Sequence, residues 1–255
     1  MKLAALRLVA VALSVGLISC SPVPPPEPKP KPTGLNAGEA CPEWAGGGRQ
    51  IVFGSELDAE LGGVVLGSGS TGVVLAHMAG GDVCQWLPYG KQLADRGYRV
   101  LAFDFAGSGV SLGHGVLLGR QVEAAADALR ADGASQIALV GASMGGASVL
   151  AAAPTLSPAP AAVVALSPPT AYHDADAAAA APKITVPVFY GAGNMDGSFA
   201  ESARQLHDAT PQTTQRQLVL APTSAHGVFL LNPETGSIEI RDGLTTFLDT
   251  YAPPA

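Results

Sequence analysis

One short stretch, Gly-Ala-Ser-Met-Gly-Gly at 141–146, constrains the fold of this chain more than any other. The four apolar residues before it, 137–140, predict a buried strand, and the small residues after it predict a helix. A serine between two such elements stands at the apex of a sharp, strained turn. Glycines two positions to either side are needed, because a side chain there would collide with the neighbouring strand or helix. Ser143 is therefore predicted to expose its hydroxyl close to the N–H groups of a helix start, where an oxyanion could form.

The rest of the chain predicts an α/β fold around this turn. Strands are predicted at 49–53, 62–66, 73–77, 99–104, 137–140, 162–166, 186–190 and 217–220, and helices at 83–96, 120–131, after Ser143 and at 239–250. The first two strands flank a polar turn and predict an antiparallel hairpin. Strand and helix then alternate, which predicts a doubly wound, mostly parallel sheet of about eight strands. Only about 17 residues, 167–183, separate two late strands, so no large cap domain is expected.

The N-terminus is typical of an exported protein. Lys2 and Arg7 precede an apolar run at 8–18, which fits the hydrophobic region of a signal peptide and is shorter than the ~20 apolar residues of a spanning helix. An uncleaved anchor or a buried helix is the alternative. The sequence Leu-Ile-Ser-Cys at 17–20 resembles the lipobox of bacterial lipoproteins. This resemblance implies a signal peptide at 1–19 and a lipid such as palmitate on Cys20. It also implies a membrane-anchored protein that faces the periplasm or the cell exterior.

A proline-rich segment follows the lipobox. Seven prolines between 21 and 33 predict an extended tether that takes no part in the fold. We therefore expect a lipidated N-terminus and tether at 20–48 and a folded domain at 49–252. The two remaining cysteines, Cys41 and Cys84, are an even pair in an exported chain, so a disulfide between them is expected, although the sequence does not give their distance.

The net charge of the chain limits the kinds of partner that we expect it to bind. The formal charge of −7 comes with no basic stripe along the sequence, which argues against a nucleic-acid-binding protein.

The candidates for chemistry lie where the predicted parallel strands end, since ligands bind at the carboxyl ends of such strands. A serine nucleophile needs a base, and the base needs a third group to orient it. His226 stands in a small-residue loop after the last predicted strand, and Asp196 stands in a Gly/Asn-rich loop after the strand before it. Asp174 and Asp176 compete for the acid but precede their strand. The other histidines are less suitable: His114 and His173 come before the acid, His207 lies midway along a polar helical stretch, and His77 ends a strand.

Gly141–Gly146, Asp196 and His226, in this order and on these elements, resemble the α/β-hydrolase superfamily. His77 then looks like the end of its His-Gly strand, and the loop 103–111 looks like its D-x-R-G-x-G-x-S loop. Two positions depart from the pattern: Met78 replaces the usual glycine and Ala106 replaces the usual arginine. By position, the resemblance implies that the backbone N–H groups of Ala79 and Met144 form the oxyanion hole.

The resemblance implies a serine hydrolase similar to small cap-less esterases and dienelactone-hydrolase-like proteins. We expect the triad Ser143, Asp196 and His226 to cleave a small-molecule carboxylic ester through an acyl-enzyme, without metal or organic cofactor. Thioester and peptide cleavage use the same triad and stay open, as does the oligomeric state. The rival hypothesis is a non-catalytic binding lipoprotein of the cell envelope on the same scaffold.

Overall fold

The computed structural model describes residues 36–41 and 47–254. In this part of the chain, eight strands form one sheet in the order β1-β2-β4-β3-β5-β6-β7-β8. They are β1 Arg49–Phe53, β2 Leu61–Leu66, β3 Thr71–Ala76, β4 Arg99–Phe103, β5 Gln136–Ala142, β6 Ala162–Leu166, β7 Val188–Gly193 and β8 Arg216–Ala221. β2 pairs antiparallel with both β1 and β4, and every other pairing is parallel. The predicted fold class is confirmed.

Six helices of the described ranges flank the sheet. They are α1 Leu87–Asp95, α2 Leu118–Ala131, α3 Met144–Ala152, α4 Ala177–Ala180, α5 Phe199–Ala209 and α6 Ile238–Tyr251. The side chains of each central strand alternate between two buried layers, as the period of two requires. Val73 and Leu75 of β3 pack in the layer that holds α1 and α6, while Val74 and Ala76 pack in the layer that holds α2, α3 and α5. Helices therefore cover both faces of the sheet, as a buried parallel sheet needs.

Two helices differ from their predicted form. The single helix predicted at 83–96 is a 3₁₀ turn at Val83–Gln85 followed by α1, with Pro88 in the first turn of the helix. Proline has no N–H and a fixed φ, so it is accommodated where a helix begins and not inside it. His207 lies in the last turn of α5 and not at its middle.

The folded part of the chain begins earlier than predicted. Residues 20–48 were expected to lie outside the domain, but a 3₁₀ turn at Ala37–Ala40 packs on the core, with Ala37 and Cys41 buried. Cys41 is joined to Cys84 by a disulfide bond that spans 43 positions of sequence. The small side chain at 37 and this covalent link hold the segment beside the 3₁₀ turn that carries Cys84. The signal peptide, Cys20 and the proline-rich run lie outside the described residues.

Two further features concern the surroundings of the site. Between β6 and β7 the chain carries only α4 and a 3₁₀ turn at Ala181–Lys183, so no large cap covers the carboxyl ends of the strands. Across 36–41 and 47–254, no helix is both long enough and apolar enough to cross a membrane.

Candidate active site

Ser143 lies at the turn between β5 and α3. Its backbone is strained, with φ 51° and ψ −116°, a region that non-glycine residues rarely adopt and that clusters at functional sites. The two flanking glycines are there for steric reasons. A Cβ on Gly141 would lie 2.1 Å from the carbonyl oxygen of Gly145, and a Cβ on Gly145 would lie 2.1 Å from that of Ala76. The helix can follow the strand this closely only with glycine at both places.

Asp196 and His226 meet at the same edge of the sheet. Asp196 follows β7 and His226 follows β8, and the Nδ1 atom of His226 lies 2.8 Å from Oδ2 and 3.0 Å from Oδ1 of the carboxylate. A carboxylate can only accept hydrogen bonds, so the proton of this contact is on Nδ1. That tautomer leaves the lone pair of Nε2 available as a base. The ring of Phe199 packs against the imidazole with centroids 4.3 Å apart, which fixes the imidazole plane from a second side.

The serine turn and the histidine loop lie side by side. Gly227, the residue after His226, packs against Ala142, the residue before Ser143: a Cβ on Gly227 would lie 3.3 Å from the Ala142 Cβ and 2.3 Å from the Met78 Sδ. In the described part of the chain, no hydrogen bond joins the Ser143 hydroxyl to the His226 ring. Such contacts are often long before substrate binds. The structure thus joins Asp196 to His226 directly and places Ser143 on the adjoining loop.

The two amides expected to bind an oxyanion border one cavity. Met144 is the first residue of α3, where a backbone N–H has no partner within its helix. Among the described residues, neither this N–H nor that of Ala79 donates to a protein acceptor. Met78, in place of the glycine that the family pattern has, is not among the residues with positive φ, so the backbone at this position does not require glycine.

The cavity beside these amides has a volume of about 460 Å³, within the range of small-ligand sites. Large apolar side chains reach the cavity from the loop after β4, the start of α2, the turn after β6 and the serine turn. They are Phe105, Val116, Leu118, Tyr172 and Met144, and the polar lining side chains are Ser108, Gln121, His173 and Asp174. Gln121 is already engaged, since it accepts from the Ala106 N–H and donates to the Val116 carbonyl. The cavity is therefore lined by apolar and polar groups in similar measure.

Two titratable residues at strand ends are structural. His77 is fully buried. Its Nδ1 lies 2.7 Å from the Met78 carbonyl oxygen and its Nε2 accepts from the Phe105 N–H. Burial lowers the pKa of His77, so the ring stays neutral. Asp104 is also buried and accepts from the Val83 and Val110 N–H groups. Burial raises the pKa of Asp104 to about 6, against these two hydrogen bonds, which lower it.

The competing candidates are engaged elsewhere. Asp174 accepts from the Leu118 N–H at the start of α2, and Asp176 accepts from the Ala179 N–H at the start of α4. His207 pairs with the neighbouring Asp208. His173 lines the cavity from a tight turn in which its φ is 50°. His114 is exposed. None of these five residues forms a hydrogen bond or an ion pair with Asp196 or His226.

One residue of the site was not expected from the sequence. Ser167, directly after β6, is fully buried, and its hydroxyl donates to Asp196 Oδ2 at 2.7 Å and accepts from the Gly227 N–H at 3.0 Å. Its own N–H donates to the Gly191 carbonyl, and its φ is 46°. The available sequence signal was a single polar residue at the end of an apolar parallel strand. The described residues hold no group of three or more His, Cys, Asp or Glu side chains placed to bind a metal ion.

The fold recurs in solved structures at low sequence identity. An esterase from Pyrococcus furiosus aligns with a TM-score of 0.68 at 18% identity, covering 80% of this chain and 90% of that one. A monoacylglycerol lipase from Paleococcus ferrophilus aligns with a TM-score of 0.63 at 19% identity, covering 76% of this chain and 100% of that one. A dienelactone hydrolase from Anabaena variabilis aligns with a TM-score of 0.61 at 18% identity, covering 80% and 98%.

Sequence comparisons give the family. No curated protein sequence matches the chain. A family model described as the alpha/beta hydrolase family matches residues 73–251, a segment that runs from β3 to the end of α6 and includes the serine turn and both partner loops. The chain therefore belongs to the alpha/beta hydrolase family.

Proposed function

We propose that this protein is a serine hydrolase that cleaves carboxylic esters through an acyl-enzyme. The observation that carries the proposal is the hydrogen bond from His226 Nδ1 to the Asp196 carboxylate, on a loop that packs against the strained turn of Ser143. An imidazole held in this tautomer can take the proton of a serine hydroxyl, which is a weak nucleophile without a base. The names of the solved relatives, an esterase, a lipase and a dienelactone hydrolase, support ester chemistry for this chain.

The reaction follows from the placement of these groups. Ser143 Oγ attacks the acyl carbon as His226 Nε2 accepts its proton, and the carbonyl oxygen takes up the negative charge. The N–H groups of Ala79 and Met144 stabilise this oxyanion. The C–O bond then breaks as His226 returns its proton to the departing alcohol, which leaves Ser143 acylated. A water molecule, deprotonated by His226, releases the acid and restores the serine.

The substrate class follows from the cavity. Ala79 and Met144 both line it, so the acyl chain of a bound ester extends from the oxyanion position along its apolar walls. We propose short to medium acyl chains, because 460 Å³ is at the lower end of the volumes of drug-sized ligand sites. We also propose that the protein is anchored to a membrane through a lipidated Cys20, as the lipobox resemblance implies.

The test is a serine-directed label together with two variants. Wild type is expected to react with a fluorophosphonate probe and to hydrolyse p-nitrophenyl esters. Ser143→Ala is expected to lose both, and His226→Ala to lose at least 1,000-fold in kcat, since single members of such triads cost about this much or more. Far-UV circular dichroism checks that the variants fold. Wild type that neither binds the probe nor turns over any ester would favour the rival hypothesis, a binding protein. Near wild-type turnover in either variant would refute the assignment of that residue.

A further inference from the structure

We infer that Ser167 is a positioning residue for the Asp196–His226 pair, an inference that rests on the proposed function of that pair. The Ser167 hydroxyl contacts both partner loops: it donates to Asp196 Oδ2 at 2.7 Å and accepts from the Gly227 N–H, next to His226, at 3.0 Å. These partners lie 29 and 60 positions further along the chain. One buried hydroxyl thus ties the carboxylate of the acid to the backbone beside the base, and the two loops are also joined by a hydrogen bond from the Met195 N–H to the Thr223 carbonyl.

The backbone of Ser167 belongs to the same network. The Ser143 N–H donates to the carbonyl of Leu166, the residue before Ser167, at 2.8 Å, and the Ser167 N–H donates to Gly191 of β7 at 2.7 Å. The end of β6 therefore holds the nucleophile turn by its backbone and the acid and base loops by a side chain. Ser167 adopts φ 46° in this arrangement, an unfavourable backbone for a residue other than glycine.

The hydroxyl affects the chemistry through the carboxylate. Oδ2 of Asp196 receives two donors, the Ser167 hydroxyl and the His226 ring, so rotation of the carboxylate about its Cβ–Cγ bond breaks at least one hydrogen bond. Without the hydroxyl the carboxylate can rotate, and the imidazole is then held in direction chiefly by its packing against Phe199. The carboxylate also keeps more negative charge available to the imidazolium, because one of its hydrogen-bond donors is gone.

The Asp196–His226 pair has few other charged groups as partners. In the described part of the chain, Asp196 is the only charged side chain that forms a hydrogen bond or ion pair with His226. The titratable groups at neighbouring strand ends have backbone partners instead: His77 contacts the backbone at 78 and 105, and Asp104 contacts the amides at 83 and 110. A change at Ser167 therefore acts on the pH behaviour of His226 through Asp196 and through no second charged partner.

The chain offers a closely matched control. Ser111 is also fully buried, donates its hydroxyl proton to the Asp104 carbonyl at 2.6 Å and accepts from the Gly62 N–H at 2.8 Å. Like Ser167 it therefore donates one hydrogen bond and accepts one, but both of its partners are backbone groups outside the proposed site. Ser111→Ala measures what the loss of such a hydroxyl does to the fold alone.

The experiment compares Ser167→Ala, Ser167→Gly and Ser111→Ala with wild type in two readouts. The first is the pH profile of p-nitrophenyl ester hydrolysis, and the second is the titration of the His226 Cε1–H signal by NMR, assigned with His226→Gln. We expect both Ser167 variants to lose about 10- to 100-fold in kcat with little change in KM, the range for a lost hydrogen bond to a charged group. Glycine adopts a positive φ without strain, so Ser167→Gly separates the hydroxyl from the backbone.

In both readouts the titration midpoint is expected to move to higher pH in the two Ser167 variants and to stay in place in Ser111→Ala. If hydrolysis depends on Ser143 but the Ser167 variants keep the wild-type or a lower midpoint, the inference is overturned. The inference is also overturned if Ser111→Ala changes kcat and the titration midpoint as much as the two Ser167 variants do. If wild type hydrolyses no ester but the NMR midpoints separate as expected, the proposed function fails and the assignment of Ser167 stands.

Discussion

At the scale of single residues, backbone strain marks the site. Only four non-glycine residues in the described ranges have positive φ, and two of them, Ser143 and Ser167, lie at the proposed site, while a third, His173, lines its cavity. Strain of this kind costs roughly 1–3 kcal/mol per residue and persists only where the surroundings enforce it. Here hydrogen bonds enforce it at both serines: the Ser143 N–H is held by Leu166, and the Ser167 side chain is held by Asp196 and Gly227.

Asp104 makes the stability of the fold depend on pH. Its folded-state pKa of about 6 lies above the ordinary 3.8, so the folded state binds the proton more tightly than the unfolded chain does. The stabilisation from protonated Asp104 is thus fully present below pH 3.8 and is lost as the pH rises through about 6. Asp104→Asn cannot titrate. The variant should therefore be less stable than wild type by a larger margin at pH 4 than at pH 8. The difference between the two margins, in free energy of unfolding, should reach up to about 3 kcal/mol.

Urea unfolding of wild type and Asp104→Asn at the two pH values measures this difference. A difference that is independent of pH, or that grows toward pH 8, would mean that the two N–H donors hold the carboxylate ionised in spite of burial, and the expected sign would be wrong.

Sequence and structure agree best where a residue's role depends on its chain neighbours. Gly141 and Gly145 were predicted because a Cβ at either place collides with backbone that the strand–turn–helix geometry itself puts there. Ser167 was missed because both of its side-chain partners are distant in sequence, and nothing within β6 or its flanks indicates them. Cys41 is a mixed case: its disulfide to Cys84, 43 positions away, was expected from the even pair of cysteines, whereas the packing of its segment on the core was not.

At the scale of elements, the start of α2 forms part of the cavity wall. Leu118 opens this helix and lines the cavity, and its N–H is held by Asp174 of the turn after β6. Leu118→Trp fills part of the space while the backbone hydrogen bond is kept. Each methylene excluded from an apolar pocket costs about 0.8 kcal/mol, so a chain that loses two such contacts should react roughly 10-fold more slowly.

We therefore expect Leu118→Trp to hydrolyse p-nitrophenyl acetate as wild type does and to lose about 10-fold or more in kcat/KM on the octanoate. Leu112→Trp is the control, because Leu112 is an exposed leucine of the loop after β4 that does not line this cavity. An acetate-to-octanoate ratio unchanged in Leu118→Trp would mean that the acyl chain lies elsewhere.

The sheet was predicted from the sequence, but the start of one helix was not, because the two predictions depend on rules of different strength. The alternation of strands and helices was enough to predict the sheet, because a parallel strand buried on both faces needs a continuous apolar run and a crossover helix. The division of 83–96 into a 3₁₀ turn and α1 was missed, although Pro88 is visible in the sequence. Helical spacing alone cannot place the first turn when a proline can either begin a helix or break it.

At the scale of the whole molecule, the folded domain reaches closer to the proposed lipid anchor than the sequence indicated. Ala37 and Cys41 are part of the core, so the proline-rich segment of 21–33 is separated from the domain by only a few residues. The carboxyl edge of the sheet carries no large cap in the described part of the chain.

The last prediction concerns Cys20. If the lipobox resemblance holds, the mature chain begins at Cys20 and carries several acyl chains, because one chain binds membranes only marginally while each buried methylene adds about 0.8 kcal/mol. Cys20→Ala in the full chain should abolish lipid labelling and cleavage before residue 20. Any copies of this variant that are cleaved at another position should carry their ester hydrolysis out of the membrane fraction. Ser21→Ala, the neighbouring substitution, should leave all three unchanged. Labelling with a palmitate analogue, N-terminal mass spectrometry and fractionation measure these outcomes. A mature N-terminus other than residue 20, or lipid label that persists in Cys20→Ala, would refute the anchor. The hydrolase assignment would stand in either case, because Ser143 and its partners lie more than a hundred positions further along the chain.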